Sequence, residues 1–224
     1  MLRRYGDSAL LLDWESRIDL DINASVHHYA AALGQLPGVS ECVPAYASLL
    51  VTFSPALTSF DTLAEQVYAL RMDGAAIRQP TLHTLPVCYG GDYGPDLAGV
   101  SQLLAMEEAE VIRRHTAVTY RVYFLGFRPG FAFLGDVDER LSVPRLASPR
   151  ARVPAGSVGI AGRQTGVYPT PSPGGWQLLG RCPLPLLSEG PEVMHLRPGD
   201  RVRFVSVSAD ECDRSQPATE WTAG

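Results

Sequence analysis

The residues most able to do chemistry lie in the second half of the chain. They sit in bends rich in glycine, proline and arginine: Gly126-Phe127-Arg128-Pro129-Gly130-Phe131, Ser148-Pro149-Arg150, Val153-Pro154-Ala155-Gly156-Ser157, Ala161-Gly162-Arg163-Gln164-Thr165-Gly166, Ser172-Pro173-Gly174-Gly175-Trp176 and Gly180-Arg181. Glycine lets a backbone approach a ligand and exposes its N–H groups, and proline pre-sets the turns that hold them. Such a set suits a rigid polar cleft, and it suits equally a barrel with many tight corners. Arg163, Gln164 and Thr165, between Gly162 and Gly166, offer a guanidinium fork, an amide and backbone N–H groups to a negatively charged oxygen. His115, at the end of an expected helix, has the chemistry of an acid or base near neutral pH, or of a favourable charge at a helix carboxyl end. Ser172 is a possible donor to an oxyanion, but as a nucleophile it lacks a G-x-S-x-G context. Phe127, Phe131, Tyr168 and Trp176 are candidates to wall a substrate cleft or to pack a core, with Pro129, Gly130, Gly174 and Gly175 shaping the same bends. Arg128, Arg150 and Arg181 suit recognition of a carboxylate or phosphate, or of an acidic partner surface.

Composition excludes several chemistries. All 19 basic residues of the 224 are arginine. Without lysine there is no Walker A contact to a nucleotide phosphate, no Schiff base and no biotin or lipoate attachment point. Cys42, Cys88, Cys182 and Cys212 are far apart and form no C-x-x-C, and the five histidines contain no H-E-x-x-H, so no metal is expected. Free thiols then point to a cytoplasmic protein. No apolar run reaches the ~18 residues of a membrane span, and Arg3, Arg4 and Asp7 stand where a signal peptide would be apolar. Residues 1–120 carry 7 Arg against 14 acidic residues, 121–203 carry 11 against 6, and 204–224 carry 1 against 4. The acidic first half argues against nucleic acid as a partner, and the arginine-rich second half suits a small anion.

The elements that must position these residues follow from periodicity. In the first part a strand at 8–13 precedes a helix at 22–36, stopped by Pro37-Gly38, and two strands at 39–46 and 48–53. A second helix starts near Thr58-x-x-Asp61 and runs to Gly74, and a strand at 84–89 closes the pattern. Strand, helix, strand, strand, helix, strand is a ferredoxin-like arrangement, which assigns residues 1–89 to a ferredoxin-like α/β domain. After the turn-forming Gly90–Pro95 linker, two short helices at 96–104 and 107–115 lead to a strand at 118–125. From Gly126 to Gly199, 12 of the 74 residues are glycine and 11 are proline, interrupted by short apolar runs. That alternation predicts a β-barrel over 90–207, with 208–224 a flexible tail, in an α+β chain overall.

The stretches GFRPGFAFLG, SPRARVPAGSVGIAGRQTGVYP and SPGGWQLLGR, with RRYGDSALLL, VPAYASLLVTF, VCYGGDYGPDL and EVIRRH, span residues 2–207. Together they resemble the PxpB family, the B component of bacterial ATP-dependent 5-oxoprolinase, also called allophanate hydrolase subunit 1, which includes the kinase inhibitor KipI. The resemblance implies a cyclophilin-like carboxy-terminal barrel and a heteromeric complex with the homologous protein PxpC and with PxpA. It implies ATP-dependent opening of 5-oxo-L-proline, a small anionic lactam, to L-glutamate, with this chain inactive alone and the ATP-binding residues unassigned. In that chemistry the lactam oxygen is phosphorylated and water then attacks, so charge builds on oxygen; losing one fixed donor typically costs about 3 kcal/mol. Alternative roles within the resemblance are inhibition of a sensor histidine kinase and a part in a urea or allophanate-type carboxylase or hydrolase. Two departures from the family pattern stand out: Cys182, where threonine is common, and Leu187-Ser188, where phenylalanine and aspartate are common.

Overall fold

The computed structural model describes residues 1–70, 79–187 and 195–214, in two compact units divided between Arg78 and Gln79. In the first unit β1 (Leu2–Arg4), β2 (Ala9–Asp13), β3 (Val39–Pro44) and β4 (Ser48–Phe53) form an antiparallel sheet of order β1-β2-β4-β3, with α1 (Leu20–Leu33) and α2 (Phe60–Ala69) completing the unit. The period-two pattern of β4 buries Leu49, Val51 and Phe53. They join Val26 and Leu33, two turns apart on α1, and Leu63 and Val67 of α2 in one core. Asp19 caps α1 by accepting from the Asp21 and Ile22 N–H groups. The cap of α2 is Ser59, one residue later than the expected Thr58, with its Oγ accepting from Thr62 N–H at 3.1 Å. The part of that helix expected up to Gly74 lies outside the described residues.

One expected strand changes sheets. Leu82–Tyr89, β5, does not close the first sheet; β1 occupies the place beside β2 instead. The ferredoxin-like reading of residues 1–89 is therefore corrected to a β-β-α-β-β-α unit ending before Gln79, and the Gly90–Pro95 turn lies inside the second unit. Periodicity shows that a segment is extended, not which sheet receives it. Here β5 runs parallel to β13 (Arg201–Ser206) over six residue pairs, burying Leu85 and Val87 fully.

The second unit continues with α3 (Leu97–Leu104), α4 (Glu108–Ala117), β6 (Thr119–Leu125), β7 (Ala132–Gly135), β8 (Arg150–Val153), β9 (Ser157–Ala161), β10 (Gln164–Val167), β11 (Ser172–Gly174) and β12 (Gln177–Arg181). Seven strands close into a barrel of order β10-β7-β6-β13-β5-β12-β9, while β8 and β11 pair separately. The barrel core includes Tyr120, Val122, Leu134, Val158, Ile160, Leu179 and Phe204, with Leu97, Val100 and Val111 of α3 and α4 packed into it. The chain after Val207 is not all loose: Ala209–Arg214 is a short helix, α5, with Cys212 fully buried. Ser208 and Glu211 form a reciprocal capping box at its start, a signal present in the sequence as S-x-x-E. Residues 215–224 of the expected tail lie outside the described residues. Among the described residues no helix is long and apolar enough to cross a membrane.

Candidate functional site

His115 is on the inward face of α4, four residues after buried Val111, and is itself fully buried. Its ring stacks on Phe204 of β13 with centroids 4.8 Å apart, Nδ1 lies 2.7 Å from the Tyr89 hydroxyl of β5, and Nε2 lies 2.9 Å from Thr165 Oγ1 of β10. Thr165 spends its one hydroxyl hydrogen on the Gly159 carbonyl at 3.0 Å, so it must accept from His115. That places the imidazole hydrogen on Nε2 and makes Tyr89 the donor to Nδ1. Burial pushes the His115 pKa down to about 3, and burial pushes the Tyr89 phenol well up. The chain Tyr89–His115–Thr165–Gly159 is a satisfied, neutral clasp joining a helix to three strands. It corrects the expectation of an acid or base: the ring is neutral at physiological pH, and its polar atoms are already engaged. It equally corrects the helix-end charge reading.

Arg163 does not face that interior. It lies in the turn between β9 and β10, its Nε donating to Asp136 at 2.7 Å, Nη1 to Glu139 at 2.8 Å and Nη2 to Asp136. These acidic partners occupy the fork expected to hold substrate. Gln164 opens β10 opposite Ala161 and is partly exposed. Ser172 begins β11 opposite Val153, and its Oγ is buried with no hydrogen-bond partner among the described residues. The structure thus brings His115 and Thr165 together, but it does not gather Arg163, Gln164, His115 and Ser172 into one catalytic cluster. Arg150 and Arg181 are also engaged, Arg150 by Asp96 and Arg181 over the Tyr93 ring at 5.7 Å.

The aromatic residues do converge. A pocket of about 100 Å³ is lined by Phe127, Phe131, Phe133, Tyr168 and Trp176, with Gly174, Gly175 and Arg145. Phe131 meets Tyr168, Trp176 and Phe133 edge to face at centroid distances of 5.2, 5.5 and 4.9 Å. Phe131, Tyr168 and Trp176 are buried, forming a fixed wall, whereas Phe127 is 60% exposed at φ +66°. Arg128 N–H bonds the Gly126 carbonyl at 2.7 Å across Phe127, a tight turn that a bulky side chain adopts only under strain. Strain at an exposed aromatic beside a pocket is a mark of a working surface rather than of a core.

The glycines make room. A Cβ on Gly174 would lie 2.5 Å from the Tyr168 hydroxyl, and one on Gly166 2.8 Å from the Ala132 carbonyl, beside Phe131. Gly130, at φ +77°, packs under Leu187, and exposed Pro129 belongs to the same turn without lining the pocket. Burial raises the Tyr168 phenol pKa, against the pull of a Trp176 backbone hydrogen bond and of the Arg145 and Arg150 charges. Phe133 and Arg145 are the lining residues that sequence reasoning missed. Phe133 was findable, two residues from Phe131 and so on the same strand face; Arg145, in a loop, carries no such signal.

Among the described residues no group of three or more His, Cys, Asp or Glu is arranged to hold a metal. Burial pushes the Cys182 thiol up to about 12, which makes it a core residue rather than a nucleophile. Ser188, the other departure from the family pattern, lies outside the described residues.

A family model described as carboxyltransferase domain, subdomain C and D, matches residues 1–196. A Bacillus subtilis (strain 168) protein named as the B subunit of 5-oxoprolinase is 41% identical over 225 residues, covering 92% of each chain. The chain belongs to this family. The Escherichia coli O157:H7 protein of the same name is also 41% identical, covering 92% of this chain and 96% of its own. Among solved structures, TTHA0988 is 36% identical with a TM-score of 0.79 over 93% of this chain. The chain spans 40% of TTHA0988, so there the same fold is part of a longer polypeptide.

Proposed function

We propose that this chain is the PxpB component of an ATP-dependent 5-oxoprolinase, acting with a homologous PxpC and with PxpA to open 5-oxo-L-proline to L-glutamate, and inactive by itself. The observation that carries the reading is the 41% identity with 5-oxoprolinase B subunits over 92% or more of both chains, which leaves little of either sequence outside the match. The pocket is consistent with it: its walls are mostly aromatic, and its volume of about 100 Å³ lies below the ~300–1,000 Å³ of sites that enclose drug-sized ligands. That suits one small ring. It does not suit ATP, which this chain also lacks a lysine to hold, so nucleotide binding is assigned to the assembled complex.

In this reading Phe131 and Trp176 receive the face of the lactam, and Phe127 covers it. Exclusion of water strengthens every polar contact to the lactam oxygen as charge develops there. The acyl chemistry is not performed by His115, whose ring stays neutral and engaged in the barrel interior. The test is ATP-dependent glutamate formation by this chain with PxpA and PxpC. Turnover that vanishes when this chain is withheld supports the assignment, and turnover unchanged without it removes it.

A further inference from the structure

Arg145 is the charged group on the pocket lining; it is exposed, and the backbone of the residues on either side of it is anchored. The Val143 carbonyl accepts from Gly162 N–H at 2.7 Å, the Pro144 carbonyl from Gln177 Nε2 at 3.2 Å, and Leu146 N–H donates to the Gly175 carbonyl at 2.7 Å. The anchors at Val143, Pro144 and Leu146 tie this loop to the β9–β10 turn and to the β11–β12 segment that carries Trp176. The guanidinium, in contrast, makes no ion pair or hydrogen bond with any described residue. Arg140 is engaged by Asp138, Arg150 by Asp96 and Arg163 by Asp136 and Glu139, while exposed Arg128 and Arg152 share Arg145's lack of a described partner but do not line the pocket. A guanidinium held beside an aromatic wall, with no anion to neutralise it among the described residues, is an arrangement that can receive the acid group of a small flat ligand.

We infer that Arg145 is the specificity-determining residue of this pocket: its guanidinium takes the carboxylate of a five-membered cyclic acid of the 5-oxoproline class, while the ring lies against Phe131 and Trp176 beneath Phe127. This rests on the functional reading above and adds to it the group that separates a lactam acid from a plain lactam. Two charge-assisted hydrogen bonds fix one end of the ring and so orient its carbonyl, and an uncharged lactam loses that alignment. Arg145 acts on binding, so its removal shows in KM rather than in kcat.

The experiment compares the wild-type complex with Arg145→Met, Arg145→Lys and, as a control outside the pocket, Arg201→Met. Arg145→Met is expected to raise the KM for 5-oxoproline ~10- to 100-fold with kcat held within a few-fold. Arg145→Lys recovers part of the loss and Arg201→Met changes nothing. In parallel, the Trp176 indole resonance of the full chain is followed by NMR during titration with 5-oxoproline and with 2-pyrrolidinone, the same ring without its carboxylate. A shift with the acid that is lost in Arg145→Met and absent with 2-pyrrolidinone supports the assignment. An unaltered KM in Arg145→Met, or equal binding of both lactams, overturns it. Arg145-dependent binding of the acid in a complex that does not turn it over would sink the 5-oxoprolinase reading and leave this inference standing.

Discussion

The barrel interior and the aromatic pocket, both built by the second unit, treat polar groups in opposite ways. Inside the barrel His115, Tyr89 and Thr165 hand hydrogen bonds from one to the next until the Gly159 carbonyl ends the chain. At the pocket, Phe127 is exposed on a strained backbone and Arg145 has no partner among the described residues. A histidine looks like catalysis in a sequence, yet here the fold engages both ring nitrogens of His115, while Arg145 stays exposed on the pocket lining. What separates them is whether the fold itself consumes the group's bonding capacity. A satisfied buried group stabilises, and an anchored residue whose head meets solvent at a pocket is open to a ligand.

Four measurements break or sharpen that contrast. The largest effect belongs to the interior. The His115 pKa falls from its ordinary value of 6.5 to about 3 on burial, so below pH 6.5 the unfolded chain takes up a proton that the folded chain refuses. Stability therefore declines with acidity by roughly 1.4 kcal/mol per pH unit in that window, or ~3 kcal/mol by pH 4.5. Urea unfolding of wild type and His115→Phe at pH 7.0, 6.0, 5.0 and 4.5 isolates this contribution as the difference in slope. Parallel slopes would mean that the ring is hydrated and protonated in the fold.

Thr165→Val comes next. It leaves the His115 Nε2–H without an acceptor in the barrel interior and is expected to cost about 1–3 kcal/mol in the same urea assay at pH 7. A neutral result would show that the clasp is not closed in solution.

On the pocket side the expectation inverts. Phe127→Gly relieves a left-handed backbone worth ~1–2 kcal/mol and gives up an exposed side chain, so the melting transition should stay within ~1 kcal/mol of wild type. Turnover by the reconstituted complex should nevertheless fall at least tenfold. Activity retained at that stability would remove Phe127 from the site.

The smallest effect is expected of Arg163→Met. Its ion pairs with Asp136 and Glu139 are exposed, so their loss should cost no more than ~1 kcal/mol and leave turnover intact. A collapse of kcat in this variant would return Arg163 to the catalytic role its glycine-flanked setting suggested.

Much of the fold was legible because local rules wrote it. The period-two burial of β4, the seven-residue interval between Val26 and Leu33 on α1, and the Pro37-Gly38 stop are short-range consequences of residue type. Legible in principle but missed were the Ser208–Glu211 capping box of α5 and Phe133, two residues from Phe131. The sheet membership of β5 was not legible. Its pairing with β13 joins residues that differ in number by 119, as in Arg201 with Leu82, and no local pattern encodes such a partner.

By itself the sequence determined what chemistries were closed to this protein, through the absence of lysine, and where its aromatic and glycine-bearing bends would fall. Its motifs also identified its relatives. Only the tertiary structure decided which polar side chains remain available. That outcome depends on who stands opposite whom: Asp136 beside Arg163, Thr165 beside His115, no described partner beside Arg145. Hydrogen bonds and ion pairs saturate, so a residue's function depends on which of its bonds the fold has already used.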